Sequence, residues 1–345
     1  MTAELQRFKE LIAKAATGAA LTQAEAYEAF SLMMSGDATP SQMAGLLMAL
    51  RVRGETVEEI TAGAMSLRER MTKIRAPEDA IDTCGTGGDA SGTYNISTAA
   101  ALIVAGAGVP VAKHGNRSLS SRSGSADVLA MLGVNVDADF ALIEEAIREA
   151  GIGFMMAPRH HGAMRHVAGP RVELGTRTIF NLLGPLANPA GVKRQIMGVF
   201  DPRWLEPLAE VLGRLGSRFA WVVHGEDGLD ELTTTAPSQV AEWDGSRVRR
   251  FTVTPEEAGL PRARPGDLKG GEPAHNAEAI RAVLAGVKGP FRDAAVMGAA
   301  GALLVAGRVD SLRAGAALAV EAIDSGAAQA ALDRLVRISH GRAPA

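Results

Sequence analysis

The chain has 345 residues, 47% of them hydrophobic, which is enough to bury a large core in two domains or in one large domain with an appendage. The formal net charge is -3 and no long run of Lys or Arg occurs, which argues against a general nucleic-acid binder and requires any anion site to be local. The one cysteine, Cys84, excludes a framework of internal disulfides, and the polar N-terminal helix and the small-residue apolar stretch at 97–112 predict a cytoplasmic protein without membrane spans.

Residues 1–76 contain three consecutive capping boxes, each of which marks the start of a helix. The pairs are Thr22 with Glu25, Thr39 with Gln42, and Thr56 with Glu59. Glycines 18, 36 and 54 supply the matching helix ends, and the apolar residues between them fall at helical spacing. This pattern predicts a smaller, all-α N-terminal domain of about four helices.

After Pro77 the pattern changes to short apolar runs that alternate with longer helical segments. The runs lie at residues 80–82, 109–112, 152–156, 195–200 and 219–223. Such alternation is typical of an α/β fold, so we expect a mainly parallel central sheet flanked by helices over residues 77–345. Asp244 and Gly245 lie between two further strand-like runs and predict a hairpin near the edge of the sheet.

A glycine-rich loop at residues 82–89 follows the first predicted strand and leads into an Ala-rich helix. Gly85, Gly87 and Gly88 let the backbone approach a bulky anion, and free N–H groups at the helix start can donate to it, so the loop suits a phosphate or pyrophosphate. The alternative is a tight strand-to-helix turn that needs glycine for its own conformation. The loop matches neither the Walker A pattern nor GxGxxG, so a nucleoside triphosphate or NAD is not indicated.

A second polar cluster, residues 113–125, comes directly after the predicted strand at 109–112. It contains Lys113, His114, Asn116 and Arg117 followed by several serines, and the carboxyl ends of strands are where open α/β sheets bind ligands. We therefore predict a polyanion site. A solvated Ser-rich loop would explain the serines but not the cations and the amide, and His114 is assigned no proton-transfer role.

Two further segments carry candidate ligands. Asp230 and Glu231 follow the predicted strand at 219–223, and adjacent carboxylates there favour Mg²⁺ bound together with substrate phosphates, although an acidic surface turn is the alternative. The segment 157–189 contains three histidines, but zinc is disfavoured because no Cys, Asp or Glu lies nearby in a recognisable spacing. Arg171 in this segment can take a carboxylate in bidentate fashion, as a small acidic aromatic substrate requires.

Taken together, these segments resemble the anthranilate phosphoribosyltransferase family, one of the nucleoside-phosphorylase-like (class III) phosphoribosyltransferases of tryptophan biosynthesis. The resemblance covers nearly the whole chain and rests on motifs at residues 82–89, 95–98, 113–125, 171, 177–189 and 228–231, in the family's order. It implies transfer of the phosphoribosyl group of phosphoribosyl pyrophosphate (PRPP) to anthranilate, with Mg²⁺ as cofactor. It also implies a homodimer formed through the helical domain, which a segment near 165–190 would complete.

The resemblance also implies residue roles. PRPP would contact Gly85, Gly88, Asp89, Thr93, Asn95, Ile96, Ser97, Thr98, Lys113, His114, Gly115, Asn116, Arg117, Ser118, Leu119, Ser120, Ser121 and Ser125. Anthranilate would contact Gly85, Asn116 and Arg171, and Mg²⁺ would be held by Ser97, Asp230 and Glu231. No catalytic acid or base is assigned, because the aryl amine of anthranilate is neutral near pH 7 and alignment against C1 of the ribose matters more.

Two other functions compete with this interpretation. A pyrimidine nucleoside phosphorylase shares the fold type but uses inorganic phosphate and a nucleoside. A non-catalytic relative that binds nucleic acid through a basic groove is the second alternative, and both the net charge of -3 and the intact Asp230-Glu231 pair argue against it.

Overall fold

The N-terminal part of the computed structural model, which describes residues 3–88, 91–117 and 122–341, consists of four helices. They are α1 (Ala3–Ala16), α2 (Gln23–Ser35), α3 (Pro40–Arg53) and α4 (Val57–Arg70). All three predicted capping boxes form, with Thr22, Thr39 and Thr56 each accepting a hydrogen bond from the backbone three residues on. The predicted four-helix segment is therefore confirmed, and local capping chemistry sets where α2, α3 and α4 begin.

The central sheet has seven strands in the order β3-β2-β1-β4-β5-β6-β7. The strands are β1 (Ile81–Gly85), β2 (Val111–Gly115), β3 (Ile152–Met156), β4 (Arg194–Gly198), β5 (Phe219–Gly225), β6 (Ser238–Trp243) and β7 (Val248–Val253). β1 to β5 pair in parallel and β6 and β7 are antiparallel, so the predicted fold class and the hairpin at Asp244-Gly245 are both confirmed. Gly245 has a φ of 97°, which favours glycine in that turn.

Three strands extend further than the apolar runs predicted, and one of them is β5, which was expected to end at Val223 but continues to Gly225. The predicted strand at 80–82 runs on to Gly85, and the one at 109–112 begins at Val111 and continues to Gly115. Lys113 and His114 therefore lie inside β2, although we expected them in the loop that follows it. Both side chains are buried and have internal partners, and such partners allow polar residues to occupy strand positions that an apolar pattern misses.

The strand order reverses beside β1. From β1 the chain moves to β2 and β3 on one side, and it then returns to β4 on the other side. Gly85 at the end of β1 is paired with Gly198 at the end of β4. In open α/β sheets a ligand crevice forms where the order reverses, outside the carboxyl ends of the strands. The topology thus places the candidate site at the ends of β1 and β4.

Helices cover both faces of the sheet. They are α5 (Ile96–Gly106), α6 (Ser125–Met131), α7 (Phe140–Glu149), α8 (Ala157–His160), α9 (Arg165–Leu174), α10 (Phe180–Leu186), α11 (Leu205–Arg214), α12 (Pro273–Leu284), α13 (Pro290–Val305), α14 (Leu312–Asp324) and α15 (Ala327–Ser339). The largest core packs α5, α13, α14 and α15 against one face. None of the helices in the described part of the chain combines the length and the apolar character that a bilayer span requires.

The second core joins the N-terminal helices to the other face of the sheet. It contains Phe30 of α2 and Leu183 of α10 together with Val222 of β5. The rings of Phe30 and Phe180 lie 5.9 Å apart edge to face, and Arg68 of α4 donates to the carbonyl of Leu186 at 2.6 Å. The segment near 165–190 therefore packs on the N-terminal helices, while the division into domains 1–76 and 77–345 stays a prediction.

Candidate active site

Four parallel strands end in glycine at the carboxyl edge of the sheet: Gly85, Gly115, Gly198 and Gly225. The absence of side chains lets the following loops fold down onto the strand ends. A β-carbon at Gly198 would lie 1.6 Å from the backbone oxygen of Asp230, and one at Gly85 would lie 2.6 Å from Asp230 Oδ2. Asp230 therefore occupies the crevice between β1 and β4, where the strand order reverses.

The glycine-rich loop is tied to this acidic residue. Gly87 and Gly88 adopt left-handed backbone conformations with φ of 65° and 77°, and the Gly87 N–H donates to Asp230 Oδ2 at 2.8 Å. Thr86 anchors the loop to β4 and its extension, because its N–H donates to the Gly198 carbonyl at 2.9 Å and its hydroxyl accepts from the Phe200 N–H at 3.1 Å. The loop backbone is thus held against the strand ends; the predicted ligand Asp89 lies outside the described residues.

Glu231 lies at the N-terminus of α5. Its Oε1 accepts from the backbone N–H of Ser97 at 3.1 Å, and a helix N-terminus favours an anion. The structure therefore brings Ser97, Asp230 and Glu231, the three predicted metal ligands, to the junction of β1 and α5. Carboxylate and hydroxyl oxygens are ligands that Mg²⁺ accepts, together with phosphate oxygens of a substrate, so this donor set fits the ion. Ile96 and Thr98 are buried in the first turn of α5.

Asn95 connects three segments around the site. Its Nδ2 donates to the Ser123 carbonyl at 3.1 Å, and its Oδ1 accepts from Ser123 Oγ at 3.1 Å and from Asn276 Nδ2 at 2.9 Å. The side chain of Asn276 is fully buried and also accepts from the Gly271 N–H at 2.8 Å. Sequence reasoning missed Asn276, because it lies in an Ala-rich helix and no local pattern shows that its amide reaches Asn95.

Thr93 is held by the same neighbouring segment. It forms an isolated antiparallel bridge with Lys269, and the Gly270 N–H donates to the Gly92 carbonyl at 2.9 Å. A β-carbon at Gly270 would lie 2.6 Å from the Thr93 carbonyl oxygen, so the two backbones are in close contact. Residues 92–94, which lead from the glycine-rich loop towards α5, are therefore supported by residues 268–270.

Lys113 and Asp82 form a buried polar layer beneath the site. Lys113 Nζ donates to the Thr83 carbonyl at 2.5 Å, and Asp82 accepts from the His114 N–H at 3.2 Å and from Asn188 Nδ2 at 2.8 Å. Burial lowers the pKa of Lys113 and raises the pKa of Asp82, and the electrostatic attraction between the two groups opposes both shifts. These contacts link β1 and β2 directly below the glycine-rich loop.

His114 and His161 form a neutral pair beside this layer. Their Nε2 atoms lie 3.2 Å apart, so one ring donates and the other accepts. Burial lowers the pKa of His161 to about 4 and holds the pKa of His114 well below its ordinary value. His160 is also buried, with Nδ1 2.8 Å from the Thr72 carbonyl oxygen. His114, His160 and His161 are therefore packed in the interior, where burial favours their neutral rings.

The second polar cluster, residues 113–125, folds back so that Ser125 contacts the chain at the end of β2. Asn116 and Arg117 follow Gly115, and Ser125 Oγ donates to the Asn116 carbonyl at 3.4 Å. Arg117 pairs with Asp127 at 3.3 Å. The predicted PRPP ligands Ser118, Leu119, Ser120 and Ser121 lie outside the described residues. The described ends of this loop thus lie at the carboxyl edge of β2, on the same edge of the sheet as the glycine-rich loop.

Two arginines come from the segment that packs on the N-terminal helices. Arg171 lies on α9 with its guanidinium carbon 5.5 Å from the centre of the Phe180 ring, and burial lowers its pKa. The guanidinium of Arg177 lies over the Phe200 ring at 4.1 Å and against Gly88. Within residues 3–88, 91–117 and 122–341, neither arginine forms an ion pair. The sequence singled out Arg171 only.

Backbone donors, the carboxylates of Asp230 and Glu231 and the guanidinium of Arg177 lie together at this edge of the sheet, and groups of this kind suit an anionic ligand. Residues 77–329 match the glycosyl transferase family, a/b domain, and residues 9–71 match the glycosyl transferase family, helical bundle domain. The chain is therefore a member of this transferase class, built from a helical bundle and an α/β part.

Individual relatives narrow the class. The anthranilate phosphoribosyltransferase of Paramagnetospirillum magneticum is 62% identical over 336 residues, covering 97% of this chain and 97% of that protein. The crystal structure of anthranilate phosphoribosyltransferase from Thermus thermophilus superposes with a TM-score of 0.91 at 48% identity and covers 96% of this chain and 99% of that one. The chain belongs to the anthranilate phosphoribosyltransferase family, which confirms the resemblance seen in the sequence.

A more distant relative has been solved with ligands. The anthranilate phosphoribosyltransferase of Saccharomyces cerevisiae in complex with PRPP and Mg has a TM-score of 0.88 and 26% identity, with 98% of each chain covered. The same yeast enzyme in complex with 4-fluoroanthranilate has a TM-score of 0.87 and 25% identity, again with 98% of each chain covered. The fold of this chain is therefore the fold on which both kinds of ligand bind in yeast.

Proposed function

We propose that this chain transfers the phosphoribosyl group of PRPP to anthranilate, giving N-(5-phosphoribosyl)anthranilate and pyrophosphate, in tryptophan biosynthesis. Family membership supports the reaction, and one observation supports the site. Asp230 lies between Gly85 and Gly198 and accepts from the Gly87 N–H at 2.8 Å. A carboxylate and a donor-rich backbone are thus joined at the point of the sheet where α/β proteins bind ligands.

PRPP would bind along the carboxyl edge. We assign its diphosphate to the glycine-rich loop and the N-terminus of α5, where backbone N–H groups and the helix dipole favour an anion. The rest of the molecule would contact the cluster at 113–125. Lys113 and His114 contribute to this proposed site through their backbone position in β2, because both side chains are buried.

Mg²⁺ is the cofactor that suits this donor set. Ser97, Asp230 and Glu231 would hold it, since the backbone of Ser97 is already bonded to Glu231 and the backbone of Gly87 to Asp230. The bound ion would supply positive charge to the phosphate oxygens. Even without the ion, the two carboxylates orient the glycine-rich loop and the start of α5, because they accept hydrogen bonds from backbone N–H groups there.

Anthranilate would bind beside Arg171, with Asn116 and Gly85 completing its site. Arg171 is half-buried next to the Phe180 ring, and a guanidinium that is poorly hydrated gains most from a bidentate carboxylate. In the reaction the bond between C1 and the diphosphate oxygen breaks with its electron pair going to pyrophosphate, the amine nitrogen forms the new bond to C1, and its proton passes to solvent. The protein aligns the amine with C1 and needs no dedicated base for this step.

We also propose that residues 1–76, completed by the segment near 165–190, form a helical domain through which two copies pair as a homodimer in the cytoplasm. Val52 on α3 is 82% exposed and Val172 on α9 is 81% exposed, and these two helices contact each other. Large aliphatic side chains exposed on neighbouring helices suit an interface with a second copy. The biosynthetic role of the named relatives supports the location.

The reaction is tested by mixing the protein with PRPP, Mg²⁺ and anthranilate and following anthranilate fluorescence together with pyrophosphate release. We expect loss of anthranilate and release of pyrophosphate in equal amounts, and no reaction when Mg²⁺ is chelated. A parallel reaction with pyrimidine nucleosides and inorganic phosphate serves as the comparison. Phosphorolysis of a nucleoside without reaction of anthranilate would contradict the proposal.

A further inference from the structure

Arg177 lies against the glycine-rich loop but comes from a different part of the chain, between α9 and α10. A β-carbon at Gly88 would lie 3.2 Å from Nη2 and 3.3 Å from Nε of Arg177, so the guanidinium occupies the space that the missing side chain leaves open. Gly88 follows Gly87, whose N–H donates to Asp230. Of these two adjacent glycines, Gly87 therefore contacts the carboxylate of Asp230 and Gly88 contacts the guanidinium of Arg177.

The position of Arg177 is fixed from both ends. Its guanidinium carbon lies 4.1 Å from the centre of the Phe200 ring, within the range of a cation–π interaction. Phe200 is itself bonded to the glycine-rich loop, because its N–H donates to Thr86 Oγ1 at 3.1 Å. At the other end, the Arg177 carbonyl accepts from Arg51 Nη1 of α3 at 2.6 Å. The side chain is thus pre-organised, so little rotamer freedom remains to be lost when it binds an anion.

The charge of Arg177 has no protein counterpart in the described ranges 3–88, 91–117 and 122–341. The other arginines there that stack on rings include two with a carboxylate partner, Arg203 with Asp201 at 3.4 Å and Arg159 with Asp139 at 3.9 Å. Among these ring-stacked arginines, Arg177 shares its lack of an ion pair with Arg171 only, and Arg171 is already assigned to a substrate carboxylate. A half-buried guanidinium held against the glycine-rich loop is suited to bind the anionic group of a ligand.

We infer that Arg177 contacts the diphosphate of PRPP and stabilises it as it leaves. The inference rests on the proposed function and adds a residue to it. The diphosphate is favoured over the anthranilate carboxylate because Arg177 lies on Gly88, one residue from the backbone group that holds Asp230, a proposed metal ligand. As the C1–O bond breaks, negative charge grows on the diphosphate oxygen, and N–H donors fixed in place stabilise that charge without reorganisation.

The test measures binding of inorganic pyrophosphate with Mg²⁺ by calorimetry, and steady-state kinetics, for the wild type, Arg177→Gln and Arg177→Lys. We expect Arg177→Gln to weaken pyrophosphate binding about 10- to 100-fold, the range for a lost charge-assisted hydrogen bond, and to raise the KM for PRPP while the KM for anthranilate changes less than about threefold. Arg177→Lys retains the positive charge but not the planar, bidentate donor geometry of the guanidinium, so its pyrophosphate affinity should lie between those of the wild type and Arg177→Gln. Arg203→Gln removes an exposed arginine that stacks on the buried ring of Trp204 and is the matched control, with wild-type values expected.

Each outcome decides the inference. Wild-type pyrophosphate affinity in both folded variants, or a raised KM for anthranilate alone, overturns it and in the second case assigns Arg177 to the anthranilate site. If Arg177→Gln does not fold, Arg177→Lys decides by the same measurements. Absence of pyrophosphate binding by the wild type also overturns it. Failure of the proposed function is recognised separately, because a wild type that binds pyrophosphate yet leaves anthranilate unchanged contradicts the reaction and not the contact.

Discussion

Replacing Gly198 with Ala should displace the acidic loop from the site. The new β-carbon would lie 1.6 Å from the Asp230 carbonyl oxygen, whereas ordinary contact begins near 3.4 Å, so the backbone of Asp230 must withdraw by the difference, about 2 Å. Gly198 is held in β4 by its pairing with Gly85 and Val223, so the loop and not the strand has to yield. A misplacement of about 1 Å at a reacting site can cost about 100-fold in rate, and we expect kcat/KM to fall at least that far.

The assay is the steady-state reaction of anthranilate with PRPP over a range of Mg²⁺ concentrations, with melting curves to confirm folding. Gly85→Ala is predicted to have a smaller effect, because the close contact of its β-carbon would be with Asp230 Oδ2, at 2.6 Å, at the end of a side chain that can rotate, while the Asp230 backbone oxygen would lie at an ordinary 3.5 Å. Gly266→Ala makes the same chemical change where nothing lies within 4 Å and should behave as wild type. A folded Gly198→Ala protein with wild-type kcat/KM and an unchanged Mg²⁺ profile would refute the placement of Asp230 in the site.

Three further outcomes are expected. Arg171→Ala should raise the KM for anthranilate by the equivalent of about 1.5 to 3 kcal/mol and leave the KM for PRPP nearly unchanged; impaired PRPP affinity with normal anthranilate kinetics would contradict it. The double variant Asp230→Asn with Glu231→Gln should lose activity and require more Mg²⁺, whereas a mere surface turn would leave turnover unaltered. For His161, whose pKa falls from 6.5 to about 4 on burial, the unfolded chain binds the extra proton, so the free energy of unfolding should decrease as the pH falls from 6.5 towards 4, by at most about 3 kcal/mol. His161→Asn should flatten that slope in urea titrations, and an unchanged slope would show that other groups cause it.

Local chemistry explains which parts of the fold the sequence could predict. The capping boxes at Thr22, Thr39 and Thr56 need only two residues three positions apart, so the starts of α2, α3 and α4 can be predicted from the local sequence. The alternation of short apolar runs with helices was equally visible, as was the Asp244-Gly245 turn. The ends of the strands are harder to predict from the sequence, because Lys113 and His114 continue β2 with polar side chains whose partners lie on other strands and loops.

The residues that sequence reasoning missed owe their place to tertiary contacts. Asn276 is separated from Asn95 by 181 residues, and nothing in the sequence around either residue shows that their amides meet. Gly198 ends a strand without any glycine-rich motif, yet it leaves the space that Asp230 occupies. The motifs therefore indicated which segments carry the site, while the positioning of their side chains depends on residues elsewhere in the chain that have no motif of their own.

The two signs of charge in the proposed site come from different parts of the fold. Asp230 and Glu231 follow β5 and bond to the backbone at Gly87 and Ser97, so the carboxylates belong to the sheet and its loops. Arg171 and Arg177 belong to the segment whose helices pack on α2, α3 and α4. A diphosphate bound to the glycine-rich loop and to Arg177 would therefore link the sheet to the helical part, and anthranilate at Arg171 would lie along the same junction. Ligand binding and the packing of the helices against the sheet are then coupled, so substitutions in the α9–α10 segment should alter substrate affinity even where they touch no substrate.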